Sequence, residues 1–311
     1  MKISQYYKSL GLLAALTCLL SGCSNDDSTP REAASEIRFN ADVWRVMEST
    51  RATTFDNAAA LQEEGTFTCY AYNNRTTTVY ESVNEATATW NSSYWSIVGS
   101  PKWPESNYLD FFAYMPATKP DYITSGPTYT YVAGEPGHQQ ITFDSTLHLT
   151  SDGQNSSKEF IFALIEKQNR DNAGSGVTLT FKHPFARVYF KIADGLSNVT
   201  INSVTIAGIE YIGSCTYDGS DVTWVPTGTT GNLVITGSPA TGNTPYLVLP
   251  QTLGSKTITV NATWSSWSPT SKDVSTVIDL GTWVCGSSYT YTFTLDDEVL
   301  IVDTEKYTEQ W

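Results

Sequence analysis

Ile37-Arg38-Phe39-Asn40-Ala41-Asp42-Val43 alternates without a break, apolar at the odd positions and polar or charged at the even ones. Successive side chains of a strand point to opposite faces, so this stretch predicts a half-buried β-strand. The same period recurs along the chain. Phe67, Cys69 and Ala71 share one face opposite Thr68, Tyr70 and Tyr72. Val177, Leu179 and Phe181 form a row, as do Ala186, Val188, Phe190 and Ile192. Tyr289, Tyr291, Phe293 and Leu295 alternate with Ser288, Thr290, Thr292 and Thr294. Gly126 with Pro127, Asp218 with Gly219, and residues 228–231 supply turn chemistry between such runs. Many short alternating strands with frequent turns predict an all-β chain of sandwich type. Only residues 56–64 read as helix, with Asp56 as N-cap and Gly65 just past the end. The polar stretch 169–176 reads as a linker between two β-domains, and 311 residues suffice for two.

Upstream of the first strand, Lys2 and Lys8 precede an apolar run over residues 10–20, and Leu20-Ser21-Gly22-Cys23 follows. This is the layout of a secretory signal, and the run is too short to span a bilayer, which takes about 20 residues. The four residues resemble a bacterial lipobox, which implies cleavage before Cys23 and acylation of its thiol. Acyl chains on one residue anchor a protein stably at a membrane. Residues 1–22 are therefore expected to be a signal peptide and 24–36 a flexible tether. Asp26 and Asp27 resemble an acidic signal for export to the outer-membrane surface.

Eighteen Lys and Arg against 32 Asp and Glu give a net charge of −14, which becomes −16 without the signal peptide. Such a surface repels phosphate backbones, so nucleic acid is excluded as a partner. Once Cys18 leaves with the signal and Cys23 carries lipid, Cys69, Cys215 and Cys285 remain, widely spaced and without a C-x-x-C. They allow one pair, Cys215 with Cys285, or three unpaired buried thiols, and they do not form a zinc pattern. His138, His148 and His183 are far apart and lack a metal-binding spacing. There is no G-x-S-x-G elbow, phosphate loop or EF-hand loop, so no catalytic residue, metal or cofactor is assigned. Asp218-Gly219-Ser220-Asp221 reads as a turn. Nine Trp and 18 Tyr invite a carbohydrate-stacking reading, with Trp90, Trp95, Trp264 and Trp267 the first residues to test. Packing within sheets is the simpler use of such aromatics.

A longer pattern runs through these strands. Thr50-Arg51-Ala52 precedes Phe55-Asp56, Gly65-Thr66-Phe67 and Tyr70-Ala71-Tyr72. Trp103-Pro104 and Leu109-Asp110-Phe111-Phe112-Ala113-Tyr114-Met115-Pro116 come next. The second half carries Leu179-Thr180-Phe181-Lys182-His183, Ala186-Arg187-Val188-Tyr189-Phe190 and Tyr246-Leu247-Val248-Leu249-Pro250-Gln251. Gly281-Thr282-Trp283, Gly286 and Tyr289-Thr290-Tyr291 close it. In this order, behind a lipobox, the chain resembles the fimbrillin family of type V pilins, from about Arg51 to Trp311.

The resemblance implies two tandem transthyretin-like β-sandwiches, over 52–172 and 173–311, with residues 23–51 as a lipidated tether and removable strand. It implies export as a surface lipoprotein of the outer membrane and cleavage by an arginine-specific protease. Arg51 and Ala52 match that processing site. Arg45 is the second choice, since Val46 and Met47 read as strand, and an uncleaved Arg51 in an anchor or accessory pilin is the alternative. Other pilin subunits are the implied partners, through strand exchange. Excising residues 37–43 would open a groove with bare sheet edges that seeks another strand. Residues 298–311, beginning with Val299-Leu300-Ile301-Val302, are a candidate donor strand or a last internal strand. A surface pilin, as stalk, tip or accessory subunit serving adhesion, is the first functional reading. A monomeric surface glycan-binding lipoprotein is the second.

Overall fold

A computed structural model describes residues 36–43, 55–132, 139–155, 158–193, 199–237, 244–264, 271–296 and 299–310. The all-β expectation holds, and the strands assemble around three apolar cores.

The first core lies inside a curled sheet. Its strands are β1 (Arg38–Val43), β2 (Thr66–Asn73), β3 (Ala86–Trp90), β4 (Trp95–Ile97), β5 (Leu109–Met115), β8 (Ile161–Gln168) and β9 (Val177–Phe181). They hydrogen-bond in the order β8-β5-β2-β3-β4-β1-β9. The two outer strands then meet. Phe162 and Lys182 exchange both backbone N–H···O bonds, at 3.2 and 2.7 Å, and close the sheet into a barrel. Closure removes the open edges that would otherwise recruit a foreign strand. Phe39, Phe67, Phe111, Val177, Leu179 and Phe181 fill the interior.

A second sheet packs on the outside of this barrel. It contains β6 (Ile123–Tyr131), β7 (Gln139–Thr146), β12 (Ile212–Tyr217) and β13 (Val222–Pro226), in the order β13-β12-β7-β6. Phe112, Tyr114 and Phe162 on the barrel meet Ile141, Phe143, Cys215 and Tyr217. Strand β5 is thus buried on both faces, which explains why Leu109–Met115 reads as a run of large residues rather than an alternation.

The third core sits in a sandwich of two four-stranded sheets. One is ordered β15-β10-β20-β21, from β10 (Ala186–Ile192), β15 (Tyr246–Val248), β20 (Ser287–Asp296) and β21 (Val299–Gln310). The other is ordered β14-β11-β17-β18, from β11 (Val199–Glu210), β14 (Thr230–Thr236), β17 (Ser255–Trp264) and β18 (Lys272–Asp279). A short ribbon of β16 (Gln251–Thr252) and β19 (Thr282–Trp283) lies beside them. Val188, Phe190, Tyr291 and Phe293 interdigitate with Val204, Ile206, Ile258 and Val260, as the alternation requires.

Among the described residues, helix is confined to short pieces, α1 (Ala58–Glu64), α2 (Ser151–Asn155) and α3 (Arg170–Ala173), besides a 3-10 turn at Glu81–Val83. The N-cap of α1 is Asn57, whose Oδ1 accepts from the Ala60 N–H at 2.8 Å, and not Asp56. Gly65 closes the helix in the left-handed conformation, as expected. The stretch expected to be a linker instead forms α3. Asn169 and Asn172 each bond the other's backbone N–H in a capping box, and β9 follows directly, paired with β1. The sheets therefore do not divide at residue 172, and β12 from the second half of the chain pairs with β7 from the first.

Candidate functional site

The groove that holds β1 is built from both sides by hydrogen bonds. Arg38 and Phe39 pair antiparallel with Ser96 and Trp95. On the other side, Phe39 through Val43 pair parallel with Val177 through Phe181. The Ile37 N–H adds a bond to the Pro101 carbonyl at 2.8 Å. An internal stave with two hydrogen-bonded neighbours is a demanding place for a strand, and alternation sets its register.

Ile37, Phe39 and Val43 are fully inside, and Ala41 packs against the same core. Phe39 is the centre of an aromatic cage. Its ring stands edge-on to Phe67 at 5.7 Å and to Phe111 at 5.4 Å, and Phe67 continues the contact to Trp95 and Phe181. A Cβ on Gly176 would come within 3.3 Å of the Arg38 carbonyl and 3.2 Å of the Asn40 side-chain amide, so the loop before β9 approaches β1 closely there.

The outward face is polar. Arg38 donates to Glu36 Oε2 at 2.8 Å and lies 4.2 Å over the Tyr94 ring. Partial burial works to raise the Glu36 carboxyl. The Arg38 and Ser100 hydrogen bonds and the Lys102 charge outweigh it, holding the group below its ordinary value. A cleft of about 280 Å³ lies beside this end of the strand, lined by Glu36, Arg38, Trp103 and the 173–176 loop.

Asp110 on β5 anchors the outer layer. It is wholly buried, and its Oδ1 accepts from Asn74 Nδ2 and the Lys167 N–H, both at 2.7 Å. Its Oδ2 accepts from Gln139 Nε2 at 2.7 Å, the Arg75 N–H at 2.9 Å and the Tyr129 hydroxyl at 3.3 Å. Arg75 and Lys167 both adopt positive φ to aim their N–H groups at it. Burial, and then the Asp110 charge, push the Tyr129 hydroxyl far above its ordinary range. Nothing in the sequence marks this carboxylate except its place inside an apolar run.

Cys23, Arg51, Ala52, His138, Trp267, Asp297 and Glu298 lie outside the described residues. Trp95 is buried, Trp90 leans on it at 5.6 Å, and Trp264 packs against the sandwich core. All three rings thus take part in packing, with Trp90 and Trp264 partly buried. The pairing offered for Cys215 and Cys285 is not made: both thiols are free, as is Cys69. Burial pushes the Cys69 and Cys215 thiols up, which leaves them poor nucleophiles. His183 is buried against Glu159 at 2.7 Å, and His148 meets Asp121 at 3.1 Å. Asp218 forms the expected turn, accepting from the Ser220 and Asp221 N–H groups. Among the described residues, no cluster of His, Cys, Asp and Glu suits a metal, and no helix is long and apolar enough to cross a membrane.

The candidate donor strand, β21, pairs in its own chain along the edge of β20, from Val299 opposite Asp296 to Gln310 opposite Ser287.

This architecture and order of motifs match the fimbrillin-like family over residues 50–311, and the chain belongs to that family. A fimbrial protein of Bacteroides vulgatus is similar in fold, with a TM-score of 0.58 and 13% identity over 88% of this chain and 99% of that one. Proteins of Bacteroides ovatus and Bacteroides uniformis, provisionally assigned to cell adhesion, give TM-scores of 0.56 and 0.54. Their identities are 16% and 18%, each over 89% of this chain and 97% and 99% of theirs. No curated protein matches the sequence.

Proposed function

We propose that this chain is a structural subunit of a cell-surface type V pilus that serves adhesion, with no catalytic activity of its own. It is exported as an outer-membrane lipoprotein acylated at Cys23, and an arginine-specific protease cuts it between Arg51 and Ala52. The cut separates β1 from the rest of the chain and readies the barrel for a strand from another subunit. The position of β1 carries this reading: it is an internal stave of the barrel, covalently continuous with the rest only through the segment that holds Arg51.

The energetics favour replacement over simple loss. Each fully buried Ile, Phe or Val contributes about 1.5–3 kcal/mol, and a row of backbone bonds leaves with them. That total rivals the 5–15 kcal/mol stability typical of a domain. Because groove and incoming strand are different surfaces, the contact is head-to-tail and extends as a filament. After digestion with an arginine-specific protease the chain should take up strand peptides from other pilin subunits, while Arg51→Ala should not. A cut protein that stays folded and binds no such strand overturns the proposal. Mass spectrometry of the N-terminus on native cells distinguishes acylated Cys23 from free Ala52.

A further inference from the structure

We infer that the strand entering the β1 groove comes from a subunit of different sequence, and that β21 of this chain is not its occupant. The inference rests on the strand-exchange reading above and concerns the chemistry of the same groove.

The groove presents four inward positions, now filled by Ile37, Phe39, Ala41 and Val43. The second is the aromatic cage of Phe67 and Phe111, where the ring of Phe39 makes two edge-to-face contacts. The third is small, with Ala41 opposite Leu179 of β9. A charge placed at any of these positions would enter a barrel whose lining is aliphatic and aromatic. The occupant is therefore a strand with four alternating apolar residues, aromatic at the second when it runs in the direction of β1.

Residues 299–311 do not offer this in any register. One alternate row reads Val299, Ile301, Asp303, Glu305, Tyr307, Glu309, Trp311. The other reads Leu300, Val302, Thr304, Lys306, Thr308, Gln310. Every set of four consecutive positions in either row, read in either direction, contains at least one Asp, Glu or Lys. None contains more than two apolar residues. The segment already satisfies its backbone against β20 in its own chain.

The test uses full-length protein nicked after Arg51 and fluorescent peptides, read by anisotropy and native mass spectrometry. A peptide of residues 36–43 should re-enter the groove. A peptide of residues 299–311 should bind at least ~100-fold more weakly, since an unpaired buried charge exceeds two tenfold steps in affinity. The same peptide with Asp303→Phe and Glu305→Ala carries Ile, Phe, Ala and Tyr in alternation and should enter. Equal binding by the unaltered 299–311 peptide overturns the inference and leaves strand exchange standing. Failure of all three peptides overturns strand exchange itself, and this inference with it.

Discussion

Asp110 holds the barrel to its outer sheet through five donors, two of them backbone N–H groups on residues with positive φ. Removing the carboxylate strands these donors in a dry environment, so Asp110→Ala should cost about 3–5 kcal/mol in urea unfolding. Glu36 makes a smaller contribution with a definite sign. Its folded pKa lies below the ordinary 4.5, so the stabilisation it gives β1 is present above that value. It is lost as pH falls through the depressed folded pKa. Glu36→Gln should therefore flatten the fall in Tm below about pH 4.5, measured by thermal denaturation across pH. Neither role is legible in the sequence, because an isolated acidic residue reads the same whether it faces water or five donors.

Strand β1 shows how far alternation carries an argument. Its inward face was readable because a strand's side-chain period is two, and Ile37, Phe39 and Val43 all lie inside. Truncating Phe39 empties the middle of the cage. Phe39→Ala should destabilise the intact chain by about 3–5 kcal/mol by denaturant titration, against less than about 0.5 kcal/mol for a substitution at the exposed Asp42. Its neighbours in the barrel were not readable, since β4 and β9 are distant in sequence and pairing partners depend on closure. The helix start moved by one residue for a similar reason. Asp56 and Asn57 are both good caps, and Asp56 is drawn instead to Arg187 of β10, at 2.9 Å.

That ion pair links the entry to α1 with β10 of the sandwich. Arg187 also donates to the Ser288 hydroxyl at 2.9 Å, and the pair is buried. Asp56→Ala takes the carboxylate from a buried guanidinium and should cost roughly 3–5 kcal/mol. The shared sheet of β7 and β12 ties the same parts together. The described residues should accordingly unfold in one calorimetric transition, with van't Hoff and calorimetric enthalpies equal. Two separated transitions would contradict this coupling.

By itself the sequence determined the all-β class, the face each alternating strand buries and the membership that the order of motifs declared. Those are local properties, set by side-chain period and turn chemistry. Tertiary structure alone decided that β9 returns to the barrel directly after the capped helix Arg170–Ala173, and that Asp110 and Arg187 lie buried among partners far away in sequence. Register and closure bring together residues 138 positions apart, as with Phe39 and Val177, and no period in the chain encodes such a distance.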